Sequence, residues 1–293
     1  MAFPKNGVIE APKIVPSAFG LLAVVDAVTD PNEAHWVRGF SQEWETDLYA
    51  LYNVDDTNSN ETQIAGAGSV NYYDEIKPFF IEVQEDRSTL GFMGIDRIAR
   101  IKRQLEATTQ RAVEEELWDG AVRKATSHSN RALTTYPGVS ILNSGTALSP
   151  KRALALLEHH IALSSHAGEQ GIIHATRDVI ALLSSNSQML FHNKEKDHLQ
   201  TMGGTPVVTG SGYSGTGPDG ATGATATDTN KWIYATGTVR VFLGDVDVVN
   251  DNLAQAYDVA GNQNDMRLKA IRPAAVYFDT SIHLAVRVDL TAA

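Results

Sequence analysis

The chain has 293 residues, 43% hydrophobic and 20% charged, a net charge of −11 and no cysteine. Such a length holds one large domain or two ordinary ones. The acidic balance argues against a chain that grips nucleic acid, because phosphates need a basic face, and the missing thiols exclude disulfides, thiolate catalysis and Cys-based zinc sites.

Residues 1–35 read as an arm. Pro4, Pro12, Pro16 and Pro31 punctuate it and no apolar period persists. A segment with so little core of its own frays alone and is most simply held by other chains. Its best apolar run, Ala18–Val25, has no basic flank and no cleavage site, so no signal peptide is expected. No apolar stretch long enough for a membrane span follows.

From Trp36 to Leu90 the pattern is strands and loops. Tyr49–Tyr52 and Pro78–Val83 are strand-like, and they flank the polar turn 53–62 and a small, flexible stretch, 64–73. This predicts a long projecting hairpin that is marginal alone and lies on a neighbour.

A long helix is predicted from Gly94 to about Ala125. Ile98, Ile101, Leu105, Thr108 and Ala112 recur at three and four, and Val113, Leu117 and Val122 continue the stripe. Its charges oppose the helix dipole. Arg97, Arg100, Lys102 and Arg103 stand near the start, and Glu114, Glu115, Glu116 and Asp119 near the end. The alternatives are a solvated face or a neighbouring copy offset so that basic half meets acidic half.

After a connector with Pro137–Gly138, Ser149 and Pro150 open a second helix. Leu154, Leu157, Ile161 and Leu163 form its apolar face, to about His166. A buried strand follows at 171–175, then a third helix from Thr176 through Leu190. Residues 202–230 are rich in Gly, Thr, Ser and Ala around the strand 206–209. Strands are predicted at 232–234 and 238–243, and a short helix at 250–256. In the last strand Ile282, Leu284, Val286, Val288 and Leu290 alternate with His283, Arg287 and Asp289, a half-buried pattern.

No motif carries chemistry. Gly210, Gly212 and Gly215 match G-x-G-x-x-G after a strand, but Thr-Gly-Pro-Asp-Gly follows and cannot open the helix a pyrophosphate needs. Glu158, His159, His160, His166 and His174 form the densest histidine group. Adjacent histidines point to different helix faces, unlike an i, i+4 metal pair. Asp245, Asp247, Asn250 and Asp251 resemble an oxygen-ligand loop only loosely, because the glycine and glutamate of an EF-hand are missing. No nucleophile elbow is present. No catalytic, cofactor-binding or metal-ligating residue is assigned, and the chain is not expected to be an enzyme.

Several stretches resemble the major capsid proteins of tailed bacteriophages with the HK97-type fold, particularly those infecting actinobacteria. They are KIVPSAFGLL, YDEIKPFFIEVQEDRSTLGF, RIKRQLEATTQRAVEEELWDG, GIIHATRDV, GTPVVTGSGYSGTGPDG, KWIYATGTVRVFLGDVDVVNDNLAQA and RPAAVYFDTSIHLAVRVDL, in order over most of the chain. The resemblance implies an α+β fold with an N-terminal arm (1–35), an extended β-hairpin loop and peripheral strands (36–92), a spine helix and peripheral domain (93–149), an axial domain (150–265) and C-terminal strands returning to the peripheral sheet (266–293). It implies a structural role in the virion capsid. Copies would form hexamers and pentamers and close into an icosahedral shell around packaged double-stranded DNA, held without sequence specificity. Portal, scaffolding and decoration proteins are the implied partners, with no cofactor and no membrane. Because the chain starts almost at the arm, a separate scaffolding protein or none is expected. Lys77 stands at the base of the hairpin, not its tip, so crosslinking of the kind some members perform is not carried over. The alternatives are an encapsulin-like nanocompartment shell and a soluble α/β enzyme.

Overall fold

The computed structural model describes residues 18–25, 27–32, 35–36, 40, 43–44, 71–72, 76–88, 97–120, 131–164, 171–187, 190–193, 198–250 and 265–292. In chain order these form α1 (Leu21–Val24), β1 (Ala27–Thr29), β2 (Glu43–Trp44), β3 (Asn71–Tyr72), β4 (Phe79–Ser88), α2 (Arg97–Asp119), β5 (Ser140–Ile141) and α3 (Pro150–Ser164). There follow β6 (Ile172–Ala175), α4 (Arg177–Ser187), β7 (Leu190–Asn193), β8 (His198–Thr201), β9 (Pro206–Thr209), β10 (Asn230–Thr236), β11 (Val239–Leu243), β12 (Asp247–Asn250), β13 (Asp265–Phe278) and β14 (His283–Asp289).

Two sheets dominate. In the five-stranded sheet the long strand β13 pairs with β4 on one side and with β11 and β12 in tandem on the other, and β1 adds parallel to β11. The seven-stranded sheet runs β5-β14-β10-β6-β9-β8-β7. One antiparallel ribbon threads both. β10 runs on into β11 and β13 into β14, and the pairs β10–β14 and β11–β13 lie on either side of a corner at 237–238 and 279–282. Backbone bonds hold that corner: the Gly237 amide donates to Asp279 (3.3 Å) and Ile282 (3.0 Å), and the Asp279 amide to Thr238 (2.9 Å).

α2 joins the layers. Ile101, Leu105, Val113, Leu117 and Trp118 share one core with Phe79 and Ile81 of β4, Ala270, Ala274 and Val276 of β13, and Trp232 and Tyr234 of β10. α3 and α4 cover the other face of the seven-stranded sheet through Leu154, Leu157, Ile161, Val179 and Leu183. On the outer face of the five-stranded sheet, Trp36, Phe40 and Ile76 pack on Ala275, Tyr277 and Phe242.

Several expectations change. α2 has 23 residues and stops at Asp119, because Gly120 takes a left-handed φ of 61° and closes the last turn with a bond from its amide to Glu116, a common glycine stop. Its C-terminal half is no thin stripe: Thr109, Gln110, Glu114 and Glu116 are buried with the apolar positions, whereas Ile98 and Thr108 are exposed. The arm's residues 18–25 are held by their own chain, with Leu21 and Val25 in the main core. The third helix ends at Ser187, and Leu190 begins a strand. Leu163 turns to solvent.

The segment 266–293 does not return whole to one sheet. β13 lies beside β4, but β14 lies between β10 and β5 in the other sheet, because the ribbon turns its corner at 279–282. By the same turn, β11 and β12 leave the 150–265 segment for the five-stranded sheet. β14 is covered on both faces, and His283 and Ala285 are as buried as their apolar neighbours. The flanks of the expected hairpin meet antiparallel at Glu43–Tyr72, Trp44–Asn71 and Phe40–Ile76. Its body and the helix ends beyond 97 and 120 lie outside the described residues, as does the helix expected at 250–256 except for Asn250, which ends β12.

Candidate functional site

The residues singled out for chemistry do not converge. His159 and His160 meet each other ring to ring at 5.5 Å, and His174 is buried in β6. Asp247 and Asn250 belong to strand β12 rather than to a loop. His166 and Asp251 lie outside the described residues. Among the described residues no group of three or more His, Asp or Glu side chains is placed to hold a metal, and no helix is long and apolar enough to cross a membrane.

The densest polar node in the interior is Glu114 on α2, fully buried. Its Oε1 accepts from the Leu21 amide (2.9 Å) and from Gln110 Nε2 (3.1 Å). Its Oε2 accepts from the Ser211 hydroxyl (3.1 Å) and the Gly212 amide (3.0 Å). One carboxylate therefore ties the arm, the long helix and the glycine-rich loop together. A buried charge persists only when hydrogen-bonded in this way. The acidic end of α2 is thus divided. Glu114 and Glu116 are interior, whereas Glu115 is half-exposed and pairs with Arg111 at 2.7 Å.

The literal G-x-G-x-x-G is a packing motif. A Cβ on Gly212 would lie 2.5 Å from the Arg111 carbonyl oxygen and 2.7 Å from the Glu115 nitrogen, so the loop touches the helix backbone. Gly215 takes a φ of 77° against Thr176 and Lys231. Beyond it, the carbonyl of Thr216 accepts from Trp118 Nε1 and the Tyr234 hydroxyl, each at 3.2 Å. The loop roofs an aromatic layer in which Trp118 lies tilted by 36° against Tyr213 (4.6 Å) and meets Tyr234 edge-on (5.0 Å).

Tyr213 extends the node inward. The Thr236 hydroxyl donates to the Gly237 carbonyl (2.9 Å), so its oxygen is left to accept from His174 Nε2–H (2.9 Å). His174 Nδ1 then accepts from the Tyr213 hydroxyl at 2.9 Å. Burial, with His283 nearby, pushes His174 down to about 3. His283 sits among Phe278, Tyr136 and Tyr234. Its Nε2 donates to the Leu133 carbonyl at 3.2 Å, and its Nδ1 is buried without a partner. Burial lowers it to about 4. Both rings are neutral packing elements.

Sequence reasoning missed Glu114 as a joint. The available signal was Gly20 and Gly212, small residues in segments far apart in the chain, which no pattern links to position 114.

No family model matches the chain, and no curated protein matches it at a significant level. Solved structures do. A chain of the capsid of the native GTA particle superposes with a TM-score of 0.58 at 11% identity, covering 98% of this chain and 95% of that one. The capsid of Myoviridae phage XM1 gives 0.56 at 12% identity, over 97% and 96%. The holo-SrpI encapsulin from Synechococcus elongatus PCC 7942 gives 0.56 at 13%, over 99% and 94%. The chain has the α+β, HK97-type fold that these shells share.

Proposed function

We propose that this chain is the major capsid protein of a tailed bacteriophage. Copies of it, as hexamers and pentamers, close into an icosahedral shell that holds packaged double-stranded DNA without reading its sequence. The observation that carries this is the near-complete mutual coverage with capsid chains, that of the GTA particle at a TM-score of 0.58 and that of phage XM1 at 0.56. Its role is structural, its place is the virion, and its synthesis is in the host cytoplasm. Portal, scaffolding and decoration proteins are its further partners. The interior supports a framework reading, since Glu114, His174 and Tyr213 are bonded to packing elements of the core. Exposed apolar side chains such as Phe80, Leu163 and Met202 are surface that neighbours can cover, and a charge of −11 suits a wall that does not trap DNA.

The encapsulin likeness favours a second reading, a nanocompartment shell with protein cargo. Negative-stain electron microscopy of the purified chain, expressed with and without its neighbouring genes, tests both. Closed shells or hexamer–pentamer sheets are expected, and nuclease-protected DNA inside them separates a virion from a compartment filled with protein. Small uniform particles under every condition would overturn the shell assignment.

A further inference from the structure

Three segments distant in sequence meet at Glu114, and every contact among them is made. The arm bonds the carboxylate through the Leu21 amide, and the loop bonds it through Ser211 and Gly212. The arm and loop also bond each other, since the Thr209 amide, just before the loop, donates to the Phe19 carbonyl at 2.9 Å. To present that carbonyl, Phe19 adopts a φ of 62°, a left-handed conformation that is an outlier for a bulky residue and is held only when its surroundings over-determine it. Both incoming segments approach at glycine. A Cβ on Gly20 would fall 1.6 Å from Gln110 Nε2, and one on Gly212 would fall 2.5 Å from the Arg111 carbonyl oxygen.

We infer that Glu114 is a two-sided latch that makes docking of the N-terminal arm and docking of the 210–215 loop a single event. The two oxygens divide the work, Oε1 to the arm and Oε2 to the loop. If the loop lifts alone, Oε2 of a fully buried carboxylate loses both of its donors, and if the arm lifts alone, Oε1 loses the Leu21 amide and keeps Gln110 Nε2 of its own helix, while the other oxygen still holds the side chain in place. An unpaired buried charge is costly, so the state with one segment docked is disfavoured against both open and both closed. Coupling of this kind is reciprocal. Displacement of the arm is therefore transmitted, through one side chain, to the loop that carries Tyr213 against Trp118 of α2, which in turn meets Tyr234 of the seven-stranded sheet.

Hydrogen exchange on the full-length chain tests this. Glu114→Gln keeps the shape but leaves one acceptor oxygen and turns the other position into a donor, so it directly disfavours only one segment. The latch predicts that amides at Leu21–Val25 and at Gly212–Tyr213 both exchange faster, by about tenfold, while those of β10 and β14 keep their protection. Faster exchange in one segment only, or in neither, would overturn the inference. Ser211→Ala is the milder variant and removes a single donor from the Oε2 side. It is expected to speed exchange at Leu21 about threefold, although residue 211 bonds only Oε2 of the shared carboxylate. An unchanged Leu21 amide beside a faster Gly212 amide would show two independent docking sites.

Discussion

At the scale of single residues, the run Glu114-Glu115-Glu116 contains two kinds of position. Burial separates them. Glu114→Lys sets a buried cation against four donors and should cost at least 3–5 kcal/mol, by the order of magnitude for breaking a buried pair. Glu115→Lys loses an exposed pair with Arg111 and should cost about 1 kcal/mol or less. Thermal unfolding of the two single variants checks this, and equal losses would return both to one surface. The histidines set a pH dependence. Both are held below the ordinary 6.5, His174 to about 3 and His283 to about 4, so the unfolded chain takes up protons first as pH falls. Stability is full above about pH 6.5 and drains away on acidification, by roughly 3 kcal/mol per histidine by about pH 4. Denaturant midpoints between pH 7 and 4 should show the fall, and His283→Phe, in its ring of aromatics, should make it shallower. None of this was legible in the sequence. A buried glutamate reads like an exposed one, and a histidine in an alternating strand reads as its wet face.

At the scale of elements, the helices and strands were legible because their periods are local. α3, α4 and the strands from β9 to β11 lie where apolar spacing puts them. What went astray was the stops and the faces. Gly120 ends α2, a signal present in the letters Trp-Asp-Gly but outweighed by a stripe that continued past it. The opposite face of α2 could not be read, because its cover comes from the loop at 210–213 and the arm at 18–25. The arm itself was read as foreign-held, yet Leu21 is fully buried in its own chain and β1 pairs with β11. Truncation should therefore be graded. Deletion of residues 1–17 leaves the Glu114 node and should cost the subunit less than deletion of 1–35. Deletion of 1–35 removes Leu21, Val25 and β1, and Leu21 alone is worth about 2–3 kcal/mol of burial. Calorimetry of the two truncations distinguishes this from an arm held only by neighbours, in which case both deletions would leave the subunit equally stable.

At the scale of the whole molecule, the resemblance of ordered stretches disclosed the fold class, whereas the partition of strands between sheets did not follow from it. β13 and β14 are consecutive and similarly apolar, and only the corner between them sends one to each sheet. Surfaces also belong to this scale. Phe80 is 61% exposed on the outer face of β4. Phe80→Ser should change subunit stability by no more than about 0.5 kcal/mol while lowering the yield of closed shells, as counted on electron micrographs against the parent chain. A shell with five- and six-fold vertices asks one sequence to serve at more than one curvature. The continuous ribbon offers a way to do so without breaking a sheet. Its two strands turn together at 237–238 and 279–282, so a change in the angle between the sheets would fall on this corner and leave the ladder bonds on either side made. Gly237 stands at that corner, where a Cβ would press on the Cβ of Asp279 at 3.0 Å. Subunits around the two kinds of axis should accordingly differ in the angle between their sheets and agree within each sheet, a comparison that one icosahedral reconstruction supplies.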